Sequence, residues 1–218
     1  MKKKLKVGVL ASGSGTNLQA IIDGRERGEL AAEVVCVITN RADAYALERA
    51  RKHGIPAIHI NHRDFAGREA YDAAVVAALQ AHGVELVVLA GFMRIITRVL
   101  LDAFPMAVMN IHPALLPSFP GLDAQRQALD HGVKVTGCTV HFVDEGCDTG
   151  PIIIQAVVPI LADDTVETLS QRIHRQEHRI YPRAIQLFAE GRLTVAGRRV
   201  IISGEHAVSD AVLINPPA

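Results

Sequence analysis

The sequence predicts an α/β protein with a doubly wound, mostly parallel sheet and an antiparallel C-terminal portion. Three observations lead there. Short apolar runs alternate with helical periods from Val7 to Ile111. Several runs, such as Leu86-Val87-Val88-Leu89, are apolar throughout, as strands buried on both faces are. After about residue 133 the alternation stops, and two long runs flank one Gly-rich acidic loop, which pairs them antiparallel.

Each element has a local signal. Val7-Gly8-Val9-Leu10 is a short strand, and Gly13-Ser14-Gly15 is the loop after it. Thr16 or Asn17 can cap the helix that carries Leu18, Ile21 and Ile22. Residues 34–38 are a β-branched second strand. Residues 44–53 read as a helix ended by Gly54. A third strand at 57–60 precedes a helix at 68–82, stopped by Gly83. Residues 86–89 and 107–111 are the fourth and fifth strands, and 135–143 and 151–158 are the antiparallel pair. Asp164 opens a long helix, with Glu167 as its capping-box partner. Pro182 is expected to kink or divide that helix, and Gly191 to end it. Val200-Ile201-Ile202 reads as an edge strand and Asn215-Pro216-Pro217 as a tail.

Composition narrows the function. A chain of 218 residues fits one α/β domain, alone or with a short appendage. Apolar residues make up 49%, but Trp is absent and aromatics are 4%, so Val, Ile, Leu and Ala must fill the core. Lys plus Arg number 23, as do Asp plus Glu. A nucleic-acid binder would carry a basic excess, and the only basic run, Lys2-Lys3-Lys4, reads as a solvated terminus. No signal or transit pattern opens the chain, and no apolar run reaches the roughly 20 residues of a membrane helix. Neither nucleic acid nor membrane is an expected partner. Cys36, Cys138 and Cys147 are odd in number and form no C-x-x-C pair, so a reducing, cytoplasmic setting is the natural reading.

Two stretches carry chemistry. The first is Ala11-Ser12-Gly13-Ser14-Gly15-Thr16-Asn17, between strand and helix. Backbone N–H groups at a helix start suit a phosphate. A dinucleotide fingerprint would need Gly where Leu18 stands and an acid where Asn40 ends the second strand. A Walker loop would need Gly-Lys-Ser/Thr. A phosphate monoester and an unliganded tight turn both remain. The second stretch is Asn110-Ile111-His112-Pro113, at the end of the fifth strand. Asn110 and His112 are two apart, so they point the same way, at the strand end where open α/β sheets bind ligands. Asp148, in the loop Asp144-Glu145-Gly146-Cys147-Asp148-Thr149-Gly150, would favour charged His112 if it lay beside it. His112 could then act as general acid or base, and Asn110 could donate to an oxyanion.

At these residues the chain resembles the phosphoribosylglycinamide formyltransferases, the folate-dependent formyl transferases of purine biosynthesis. The resemblance rests on Ser12-Gly13-Ser14-Gly15-Thr16-Asn17-Leu18-Gln19-Ala20-Ile21, Leu89-Ala90-Gly91-Phe92-Met93-Arg94-Ile95, Asn110-Ile111-His112-Pro113 and Gln176-Glu177-His178 with Tyr181-Pro182. It runs to about residue 193. It implies a formyltransferase fold, with residues 1–193 a single domain and 194–218 a weakly patterned C-terminal extension. It implies 10-formyltetrahydrofolate as co-substrate, phosphoribosylglycinamide as acceptor, no metal, and a cytoplasmic monomer or homodimer. By resemblance Asn110, His112 and Asp148 are catalytic. Gly15, Thr16 and Asn17 hold the substrate phosphate, and Glu177 contacts the acceptor's ribose. Arg68, Met93, Arg94 (through its backbone), Ile95 and Ile96 line the folate site with Asn110.

The chain departs from the family pattern at Ala114, where Ser is usual, and at Asp123, where His follows Pro-Gly-Leu. An acid at 123 is expected either to turn away or to raise the pKa of Asp148. Three other readings compete. Formyl transfer to tRNA or an amino sugar, or hydrolysis of formyl-folate, uses a similar Asn, His and Asp group. The tRNA enzymes and the hydrolases add domains for which this chain is expected to have no room. His174-Arg175-Gln176-Glu177-His178 matches the zinc motif H-x-x-E-H, which still lacks a third ligand beyond Glu190, Glu205 or Asp210. A binding module would keep the glycine loop and have no need of the other three residues together.

Overall fold

The computed structural model describes residues 4–204. In chain order the elements are β1 (Leu5–Ala11), α1 (Thr16–Glu26), β2 (Ala32–Thr39), α2 (Tyr45–Lys52), β3 (Ala57–His59), α3 (Arg68–Ala81), β4 (Leu86–Leu89), α4 (Arg98–Ala103) and β5 (Val108–His112). They continue with α5 (Ala124–Asp130), β6 (Val135–Phe142), β7 (Ile152–Pro159), α6 (Val166–Ala189), β8 (Leu193–Ala196) and β9 (Arg199–Ile202). A one-turn 3₁₀ segment, His62–Asp64, joins β3 to α3.

The strands form one nine-stranded sheet in the order β3-β2-β1-β4-β5-β6-β7-β9-β8. The pairs from β3 to β5 are parallel, and β6 is antiparallel to both β5 and β7. The fold class is as the sequence predicts. Helices cover both faces. On one, Leu18, Ile21 and Ile22 of α1 pack with Tyr181, Ala184 and Ile185 of α6 against β1, β2, β4 and β5. On the other, Tyr71, Val75 and Leu79 of α3 pack with Leu100 of α4. Many of these side chains are fully buried, each worth about 1.5–3 kcal/mol of transfer free energy. The Tyr181 hydroxyl lies 2.9 Å from the Leu89 carbonyl and 3.0 Å from that of Met109, which ties α6 to the ends of β4 and β5.

The structure corrects several local expectations. α1 is not capped by Thr16 or Asn17: its N-cap is Gly15, with no side-chain cap. The capping box of α6 sits one residue later than expected, between Thr165 and Thr168. Asp164 is drawn instead into a pair with Arg172, and Glu167 is left out of the box. α6 runs through Pro182 undivided. Residues 199–202 are a strand, but β8 and not β9 lies at the sheet edge. The Asn215-Pro216-Pro217 tail lies outside the described residues.

Candidate active site

β1 pairs with β2 on one side and β4 on the other, so sheet growth reverses between β1 and β4. Such a reversal opens a crevice at the carboxyl ends of the strands. Residues 12–15, the strap 90–97 and the end of β5 all lie at those ends.

Asn110 and His112 leave β5 on one side, and Asp148 enters from the loop between β6 and β7. Asp148 Oδ2 is 3.3 Å from His112 Nδ1, and Asp148 Oδ1 is 3.4 Å from Asn110 Nδ2. The three predicted catalytic residues therefore meet. Asp144 braces the loop by accepting from Gly146 N (3.1 Å) and Thr149 Oγ1 (2.6 Å). A Cβ at Gly150 would run into the Phe142 carbonyl, so glycine is needed where the loop passes the end of β6 to enter β7. On the far side of the ring, His112 Nε2 lies 2.8 Å from the Phe119 carbonyl. That oxygen only accepts, so Nε2 carries a proton.

His141 joins the group without having been singled out in the sequence. It faces Asn110 across the β5–β6 pairing, is 1% exposed, and brings Nε2 to 3.2 Å from Asn110 Nδ2 and 3.7 Å from Asp148 Oδ1. Burial pushes the Asp148 carboxyl up. Hydrogen bonds from His141 and the Gly121 N–H (2.9 Å), with the charges of His112 and His141, outweigh it and bring the carboxyl to about 2. Asp123 is exposed and is not among the groups acting on Asp148, the first of the two expected outcomes, an acid turned away.

At the start of α1, Gly15 takes φ +70°, and a Cβ there would lie 2.9 Å from Ala46 Cβ. With no side-chain cap and no acid in the first turn, the opening N–H groups are open to an anion. Asn17 Nδ2 donates to Glu177 Oε2 at 2.8 Å, joining the glycine loop to α6, and its own Oδ1 is buried without a partner. Burial pushes the Glu177 carboxyl up, against the Asn17 amide and the charges of His174 and His112.

Met93 and Ile95 are 67% and 59% exposed, while Ile96 is buried in the core. Two large apolar side chains held open beside polar groups suit a planar ring. Ser12 Oγ fixes the strap by accepting from Met93 N at 2.9 Å and donating to Asn40 at 2.6 Å. The Arg94 guanidinium stacks on the Tyr71 ring at 5.0 Å. Arg68 is exposed at the start of α3, one turn before Tyr71.

The His174 and His178 rings stack in parallel, 6.3 Å between centroids, while Glu177 turns to Asn17. Among the described residues, no three His, Cys, Asp or Glu side chains are grouped to hold a metal ion.

The model of the formyl transferase family matches residues 5–185. The trifunctional purine biosynthetic protein adenosine-3 of Drosophila melanogaster is 50% identical over 87% of this chain, and the chain spans 14% of that protein's length. The phosphoribosylglycinamide formyltransferase of Escherichia coli is 42% identical over 92% of this chain and 95% of its own. Among solved structures, glycinamide ribonucleotide transformylase 1 from Symbiobacterium toebii superposes with a TM-score of 0.91 at 59% identity, covering 93% of this chain and 95% of that one. A formyltetrahydrofolate deformylase from Pseudomonas syringae gives 0.86 at 30% identity, covering 92% of this chain and 66% of that one.

Proposed function

The chain belongs to the formyl transferase family, and on that premise we propose that it transfers the formyl group of 10-formyltetrahydrofolate to the amine of 5′-phosphoribosylglycinamide, in the cytoplasm, as a step of purine biosynthesis. The observation that carries the reading is the meeting of Asn110, His112 and Asp148 within 3.4 Å, between an uncapped helix start and an exposed apolar strap.

The N–H groups of Gly15, Thr16 and Asn17 hold the acceptor's phosphate. Glu177 and the spare Asn17 Oδ1 accept from its ribose hydroxyls. Met93 and Ile95, with the Arg94 backbone, seat the folate ring, Ile96 supports them from the core, and Arg68 meets the folate's acidic end. The acceptor amine attacks the formyl carbon, a C–N bond forms, and the former carbonyl oxygen takes the negative charge. Asn110 Nδ2 donates one N–H to it; the other stays with Asp148 Oδ1. His112 donates its Nε2 proton, the oxyanion displacing the Phe119 carbonyl. Each such donor is worth about 3 kcal/mol of barrier. Asp148 holds the His112 ring in place and, through water, relays the amine's proton toward the departing folate nitrogen. The carbonyl then reforms and the bond to that nitrogen breaks. General acid–base help of this kind contributes about 10²- to 10⁴-fold.

The deformylase neighbour favours one rival, hydrolysis of the same donor. Absorbance at the folate chromophore separates the two. Deformylation only when phosphoribosylglycinamide is present supports transfer. Deformylation at the same rate without an acceptor overturns it in favour of hydrolysis.

A further inference from the structure

The glycine loop is held from one side by α2. Ala46 N, in the first turn of α2, donates to the Gly13 carbonyl at 3.1 Å, and Arg49 Nε donates to the Ser14 carbonyl at 2.8 Å. A trans peptide unit is planar, with its C=O and N–H on opposite sides. The two carbonyls turned to α2 therefore turn the N–H groups of Ser14 and Gly15 away from it. Neither N–H has a partner among the described residues. We propose that Arg49 is a positioning residue of the phosphate site: by holding the Ser14 carbonyl it aims the Gly15 N–H at the acceptor's phosphate, and so sets the preference for a phosphorylated acceptor. The proposal rests on the phosphate reading given above and deepens it.

Arg49 is itself held in place. Its Nη1 donates to Gln19 Oε1 at 3.0 Å, and Gln19 Nε2 donates in turn to Asp23 Oδ1, one turn on in α1, at 2.7 Å. The guanidinium lies over the Tyr45 ring, 5.0 Å from its centroid. Three contacts thus fix a half-buried side chain that would otherwise sample many rotamers. None of the three is with an acid, and Arg49 makes no ion pair among the described residues, so no carboxylate contact cancels its charge.

That charge acts through the peptide it holds. A cationic donor on a carbonyl polarises the amide, which makes the N–H of the same unit a stronger donor. The fit is close: a Cβ at Gly15 would lie 3.4 Å from Arg49 Cδ, so the side chain runs beside the residue whose N–H it aims. Successive N–H groups turned to one side, with residue 15 left-handed, make the concave cradle that suits an anion.

The test compares phosphoribosylglycinamide with its dephosphorylated riboside as acceptors, and adds inorganic phosphate as a competing inhibitor. Arg49→Met keeps much of the apolar stem and removes the donor. The KM for the phosphorylated acceptor and the inhibition constant of phosphate should each rise about tenfold, the effect of misaiming one hydrogen bond to a charged group. Turnover number, donor KM and kcat/KM for the riboside should stay unchanged. Arg51→Ala, which breaks the exposed pair with Glu48 on the same helix, should change none of these. If urea titration shows that Arg49→Met does not fold, Gln19→Met, which removes the oxygen that holds Nη1, should give the same pattern at about threefold. Equal losses for both acceptors, or an unchanged inhibition constant for phosphate, would make Arg49 a brace between helices and overturn its positioning role, with the phosphate reading left standing. An unaltered protein that uses both acceptors equally well would remove the phosphate reading and this inference with it.

Discussion

Asp148 accepts from the Gly121 N–H and the Asn110 amide and faces the rings of His112 and His141, and its charge has two consequences. Its carboxyl is held near 2, below the ordinary 3.8. A depressed acid stabilises the folded state in full above about pH 4, and that contribution is lost as pH falls toward 2. Urea unfolding should therefore show the advantage of the unaltered protein over Asp148→Asn shrinking across that window. The same substitution keeps the shape and removes the charge, so kcat at neutral pH should fall about 10²- to 10⁴-fold. Asp123 faces solvent, so the pH–rate profile of Asp123→His should overlie that of the unaltered protein; a shifted acid limb would show that Asp123 does act on Asp148. At this scale the sequence was informative where residue type and spacing coincide. Asn110 and His112 are two apart at a strand end, and Asp148 lies in a loop that can reach them. His141 gave no such signal. It is one polar residue inside an apolar strand, and only the register that sets it opposite Asn110 reveals it.

The element that prepares the phosphate site is α1. Its signal, a Gly-rich loop running into a helix, was legible, but the cap was not: the helix starts at Thr16, so Gly15 takes the cap position and Asn17, already in the first turn, reaches Glu177 on α6 instead. Gly15→Ala would force a Cβ against Ala46 at positive φ. The KM for the acceptor should rise roughly tenfold, about the effect of losing one N–H contact to an anion, with the donor KM unchanged. α6 depends on its own cap. Thr165→Ala removes the oxygen that accepts from Thr168 N and should lower unfolding stability by about 1 kcal/mol in urea titration. Short elements escaped the sequence for a physical reason. α4 and α5, of 6 and 7 residues, are too brief for a helical period to show, and packing against longer neighbours sustains them.

Over the whole molecule, sheet order explains why residues far apart in the chain meet. Continuous apolar runs separated by helical periods specify a parallel sheet with helices on both faces, and that much was readable from residue patterning. The reversal between β1 and β4 sets the glycine loop, the strap and the end of β5 around one crevice, and the antiparallel β6–β7 pair returns Asp148 to it. Strand order and register depend on which faces pack together, so they emerge only in three dimensions. The central claim is that Asn110, at the end of β5, stabilises the charge that develops during transfer. The most direct measurement is kcat of Asn110→Ala with both substrates saturating, alongside calorimetric affinities for each. Loss of one oxyanion donor predicts a fall of about 10²-fold or more in kcat with affinities little changed. Near-normal turnover would contradict the account.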